Sequence, residues 1–113
     1  MIENDADKPV VIYATFPSLE HAEKVADQLI KAELAACVNI LPGMISIYGW
    51  KGSQQRDQEV VFLAKTRMQQ ANAVKEAIVE AHSYDVPAVI YLDISGGHAP
   101  YLEWIMSETS AGD

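Results

Sequence analysis

Three stretches of this chain are apolar at successive positions rather than at every second one: Val10, Val11, Ile12 and Tyr13; Val60, Val61, Phe62, Leu63 and Ala64; Val89, Ile90, Tyr91 and Leu92. Their β-branched and aromatic content marks them as strands, and successive side chains of a strand point to opposite faces of its sheet. Strands of this kind must be covered on both faces. A sheet with helices on one side would leave a large apolar patch on the other, so a second layer is required. Another copy of the same chain is the simplest source of that layer. The pattern predicts a homo-oligomer whose sheets pack face to face around an axis.

The remaining elements follow from periodicity and punctuation. The strand over residues 10–16 ends at Pro17, Ser18 fits an N-cap, and Ala22, Val25, Ala26, Leu29 and Ile30 form a helical stripe reaching about Ala35. Residues 37–41 and 44–48 read as one long extended segment, interrupted at Pro42 and Gly43 by a bulge or bend. Gly49, Trp50, Lys51, Gly52 and Ser53, with the polar run 54–57, form the reversal, and residues 59–66 return as a strand. Ala71, Val74, Ile78 and Ala81 mark a second helix closed by residues 82–85, and residues 88–94 form a last strand. Gly96 and Gly97 turn the chain, and Pro100 suits the first turn of a short final helix through Ile105.

Strand, helix, strand, twice over, is an α+β plan: the split β-α-β sandwich of ferredoxin-like folds, here with an extended β-hairpin and a short C-terminal helix. At 113 residues one domain is expected, over residues 9–106, between a flexible acidic N-terminus at 1–8 and a flexible tail at 107–113. The hairpin is long enough to reach a neighbour's edge.

Composition narrows the partners. Eight basic against sixteen acidic residues give a net charge of -8, which argues against nucleic acid, whose binding needs a basic footprint. The apolar runs fall short of a membrane span of ~20 residues. A single cysteine, Cys37, and an acidic first stretch without a secretory pattern point to a cytoplasmic location.

No nucleophile elbow, phosphate loop or dinucleotide fingerprint is present, so no enzymatic activity is expected. Acylphosphatases share the split β-α-β plan but use an arginine after the first strand, where residues 15–20 contain none. Candidate metal ligands are Cys37, His21, His82, His98, Glu59, Asp57 and the methionines, without any short ligand spacing. A site would be assembled from distant parts of the chain or from two subunits. Thiolate, imidazole and carboxylate together would suit copper or zinc. Cys37 reads either as a small apolar strand residue or as a soft ligand. His82 reads either as a cation at a helix C-terminus or as a ligand. Glu59 must face water or a partner, such as Lys65 or Arg67 of another chain, or serve as a ligand. Lys65 otherwise reads as a solvated strand end, and His21 and His98 as exposed. Scattered aromatics are core or interface, but Trp50, in a glycine-flanked turn, is buried most easily against a neighbour or ligand, which nominates an inter-subunit pocket at Trp50, Tyr84 and Lys65.

Several motifs occur in a telling order: Ala36, Cys37, Val38, Asn39; Tyr48, Gly49, Trp50, Lys51, Gly52; Glu59 through Thr66; His82, Ser83, Tyr84, Asp85, Val86, Pro87; and Tyr101, Trp104, Ile105. In this order they resemble the CutA family, the divalent cation tolerance proteins, over nearly the whole chain. The resemblance implies a trimeric ferredoxin-like protein associated with copper and other divalent metals, in which Cys37 and His82 match family motifs. With Glu59, nominated by its place in an apolar strand, they make the expected metal ligand set, for copper or another divalent metal such as zinc. Where some members carry a second cysteine this chain has Ala14, Ser83 replaces the proline of the family's His-Pro-Tyr motif, and Ala88 stands where a glutamate usually follows Pro87. The alternative is a small-molecule sensor resembling PII-type signalling trimers, its ligand between subunits near Trp50, Tyr84 and Glu59.

Overall fold

The computed structural model describes residues 7–110. In chain order the elements are β1 (Pro9–Phe16), α1 (Leu19–Lys31), β2 (Cys37–Trp50), β3 (Ser53–Arg67), α2 (Met68–Ala81), β4 (Val89–Asp93) and α3 (Ala99–Glu108). The strands form one antiparallel sheet in the order β2-β3-β1-β4, so β1 and β3 are central. The α+β architecture anticipated from the sequence is present.

Ser18 caps α1, its hydroxyl accepting from the His21 N–H at 3.2 Å. The inner stripes of α1 (Ala22, Val25, Leu29) and α2 (Ala71, Val74, Ile78) pack on Val10, Ile12, Ala14, Phe16, Phe62 and Ala64. Register explains why these strand residues share a face: Val10 lies opposite Thr66, Ile12 opposite Ala64 and Ala14 opposite Phe62. The residues between them, Val11, Tyr13, Leu63 and Val61, turn to the other face. There β4 contributes Ile90 and Leu92, and β2 contributes Leu41. Leu41, Ile90 and Leu92 are 54%, 51% and 43% exposed, so the second apolar face is left largely open by a single chain.

The hairpin is longer than the sequence suggests. The reversal expected over residues 49–57 shrinks to Lys51 and Gly52, whose φ angles of 51° and 85° give the doubly left-handed turn that matches strand twist. Residues 53–58 are strand despite their polarity, because this end of the hairpin is solvated and costs nothing in desolvation. The anticipated bulge lies at Pro42 and Gly43: Leu41 pairs with Val61 and Met44 with Glu59, so three steps along β2 match two along β3, and Gly43 takes φ 89°. That extra residue keeps Leu41 and Met44 on one face.

The ends of the domain differ from expectation. Residues 1–6 and 111–113, parts of the proposed flexible termini, lie outside the described residues. Asp7, assigned to the flexible start, is instead tied down: its carboxylate accepts from the Arg67 guanidinium at 2.9 Å and from the Gln69 N–H at 3.1 Å, capping α2. At the other end α3 continues to Glu108, and Thr109 is fully buried, where a tail from residue 107 was expected. The reason is Arg67, which also donates to the Met106 carbonyl and, at 3.3 Å, to the Thr109 hydroxyl. Arg67 and Lys65 sit on the open face of β3, so α3 crosses that end of the face and buries Ile105.

The side chains of Arg67 and Asp7 are only 12% and 15% exposed, so removing one strands the other. Arg67→Ala is expected to lower unfolding free energy by about 3 kcal/mol, measured by chemical denaturation, and to release α3. Asp7→Asn, which keeps an oxygen for the Gln69 N–H, is expected to cost less.

Candidate functional site

Where the hairpin leaves the body of the sheet, it and the segment after α2 enclose a cleft of about 730 Å³. Its principal side chains are Tyr13, Tyr48, Trp50, Asp57, Glu59 and Tyr84. Strand parity brings most of them together. Glu59 and Asp57 are two apart on β3 and share a face, and beyond the bulge Tyr48 and Trp50 point to that same face from β2. Tyr13 joins from β1, its hydroxyl donating to the Met44 sulfur at 3.8 Å.

Each carboxylate is held by a phenol. Tyr84 donates to Glu59 Oε2 at 3.0 Å, and Tyr48 donates to Asp57 Oδ2. Burial pushes the Tyr84 phenol up to about 12, assisted by its bond to Glu59 and by the charges of Glu59, Asp57 and the Tyr48 phenol. The Tyr48 phenol is raised by its bond to Asp57, by desolvation and by the same carboxylates. Both hydroxyls therefore remain donors at neutral pH. Asp85 adds a third acid, and among the described residues no lysine or arginine lines the cleft.

His82 sits behind this wall and fixes it. Its Nδ1 accepts the Tyr84 N–H at 3.2 Å, so Nε2 carries the proton and donates to the Thr15 carbonyl at 2.6 Å. The ring stacks on Phe16 with centroids 4.6 Å apart. With both nitrogens engaged, His82 positions Tyr84 and is not poised as a metal ligand. Its backbone N–H donates to the Val79 carbonyl at 3.3 Å, but its imidazole does not bind the carbonyls at the end of α2. That role falls to His21, expected to be exposed, whose Nε2 lies 2.7 Å from the Ala81 carbonyl and whose ring packs 5.0 Å from Phe16. The signal was available: His21 is one turn before Val25 on the inner stripe of α1. His98, read as exposed, is exposed at the N-cap of α3.

The proposed ligand set is not brought together within one chain. Cys37 opens β2 opposite Lys65, six residues along β3 from Glu59, or about 20 Å. Its half-exposed thiol lies 3.8 Å from Asn39 Oδ1. Among the described residues no three His, Cys, Asp or Glu side chains converge as a metal group. Lys65 is likewise separated from Trp50 and Tyr84. It donates to the Tyr101 hydroxyl at 3.0 Å, a bond that raises the pKa of its ammonium group, and its charge lies over the Tyr101 ring. Strand length explains both separations, since one end of β3 meets the cleft and the other meets α3. Asp57, placed among the candidate ligands without a special role, proves to be Glu59's neighbour in the cleft.

A profile of the CutA1 divalent ion tolerance protein family matches residues 10–108. The chain belongs to the CutA1 family. This family member is 44% identical over 100 residues to the chloroplastic CutA 1 of Oryza sativa subsp. japonica, covering 88% of the chain but 56% of that relative. The chain thus spans little more than half the length of its plant relatives. Against the CutA1 structure from Thermus thermophilus it aligns with a TM-score of 0.87 at 40% identity, covering 90% of this chain and 99% of the other. A CutA from Archaeoglobus fulgidus, described as periplasmic, aligns with a TM-score of 0.87 at 35% identity over 90% of this chain and 99% of its own. Relatives named chloroplastic and periplasmic overturn the cytoplasmic assignment. Its physical basis was insufficient, because a lone cysteine forbids an internal disulfide in any compartment and selects none.

Since the Tyr84 phenol is raised from 10 to about 12, its contribution to stability is complete below pH 10. It is lost as pH rises from there through 12, because the unfolded chain ionises first. Tyr84→Phe is expected to flatten the fall in stability over that window, read by denaturation at stepped pH. Glu59→Gln is expected to bring the phenol part-way back toward 10, followed by ultraviolet titration.

Proposed function

We propose that this chain serves divalent-ion tolerance as a homotrimer whose ligand site is the hairpin cleft, walled on its outer side by a neighbouring subunit. The family supports the link to divalent ions. The open apolar face of the sheet, with Leu41, Ile90 and Leu92 half exposed, supports assembly through that face. The observation that carries the choice of site is the convergence of Trp50, Tyr84 and Glu59 on one cavity of about 730 Å³, a size suited to a small ligand. Chemically it can hold a cationic or hydrogen-bonding ligand beside two fixed carboxylates. In this reading the trimer is a sensor, and no covalent step is asked of it.

Direct copper binding is the second reading, and the half-exposed Cys37 thiol favours it. With Cys37, His82 and Glu59 apart in one chain, such a site draws its ligands from different subunits. Calorimetric titration of the reduced protein with copper, beside light scattering, separates the two. A mass near three times 12.4 kDa is expected. Under the cleft reading, Cys37→Ala leaves copper binding unchanged and Glu59→Gln weakens it. Stoichiometric binding abolished by Cys37→Ala would establish the second reading instead.

A further inference from the structure

The cleft is unusual in its balance of charge and surface. Three carboxylates, those of Asp57, Glu59 and Asp85, line it without a lysine or arginine among the described residues, yet its walls also include Trp50, Tyr13 and Val86. Tyr48 and Tyr84 each occupy one oxygen of a carboxylate, Asp57 Oδ2 and Glu59 Oε2, and hold it in a fixed direction. A bare metal ion would fill a small fraction of about 730 Å³ and leave the aromatic and aliphatic walls wet. A ligand that is both cationic and apolar would use both kinds of surface, with methylenes against the walls and charge near the rings.

Spacing narrows the class further. Asp57 and Glu59 lie two residues apart on the same face of one strand, which sets their backbones about 7 Å apart. Each carboxylate is oriented by its own phenol, Asp57 by Tyr48 and Glu59 by Tyr84, so two ammonium groups joined by a short chain can take one carboxylate each.

We propose that the hairpin cleft binds a linear aliphatic diammonium ion, one charged end on Asp57 and the other on Glu59, with its methylenes against Trp50 and Tyr13. This rests on the reading of the cleft as the ligand site and names its ligand. Tyr48 and Tyr84 act as positioning residues, orienting the carboxylates. His82 acts one step behind them, by holding the Tyr84 backbone at 3.2 Å.

The test uses the full chain with Trp104→Phe, so that Trp50 is the one remaining tryptophan of two. Diaminobutane, aminobutane and butanediol are each titrated by Trp50 emission and by calorimetry. Diaminobutane is expected to bind saturably, at least about tenfold more tightly than aminobutane. Asp57→Asn and Glu59→Gln are each expected to reduce it to the level of aminobutane. Asp57 is exposed, so its replacement tests the site without threatening the fold, and light scattering verifies that each variant assembles as the parent does. Equal binding of butanediol and diaminobutane would overturn the dication while leaving the cleft as a ligand site. Absence of binding by all three compounds, together with copper binding unaffected by Glu59→Gln, would overturn both.

Discussion

The pairing of β1 with β3 is the constraint on which the molecule depends. Over its full length it sets Val10, Ile12, Ala14 and Phe16 against Thr66, Ala64, Phe62 and Val60, giving α1 and α2 one continuous surface to cover. A slip of one residue would exchange that face for Val11, Tyr13, Val61 and Leu63, which are also apolar. Alternation therefore cannot define this register by itself. Two polar features resolve the ambiguity. Thr66 must lie inward, where its hydroxyl donates to the Leu34 carbonyl at 2.6 Å, and Arg67 must lie outward, beneath α3.

The same register builds the cleft at one end and the clamp at the other. From Arg67 the odd-numbered residues of β3 run along the open face through Lys65, Leu63 and Val61 to Glu59 and Asp57. Chemistry changes along this line from a cation bonded to α3, through an apolar middle, to two carboxylates among aromatic rings. The bulge at Pro42 and Gly43 matters because it lies between the last two zones. Without its extra residue Tyr48 and Trp50 would turn to the opposite face from Glu59, and no aromatic wall would stand beside the acids.

Much of this was legible in the residues. The doubly apolar strands foretold the uncovered face and Pro42 and Gly43 foretold the bulge, while Trp50, Tyr84 and Glu59 line one cleft of the single chain. What was missed depended on distances between segments far apart in sequence. Lys65 could be grouped with Trp50 only while the length of β3 was unknown. His82 looked like a ligand because its two hydrogen-bond partners, Thr15 and Tyr84, belong to a strand and a loop that periodicity does not bring together. Asp7 and Thr109 looked like loose ends because nothing local to either shows that both meet the same guanidinium.

That shared guanidinium has a geometric consequence for the chain's entry and exit. Asp7 and Thr109 meet at Arg67, the last residue of β3, while the hairpin turn is at the strand's far end, about 46 Å away if the strand were straight. The described chain thus begins and ends at one pole, and the cleft is set toward the other. These two ends are also near enough for a short linker to join them, so the order in which the elements are threaded could be permuted without disturbing the sheet.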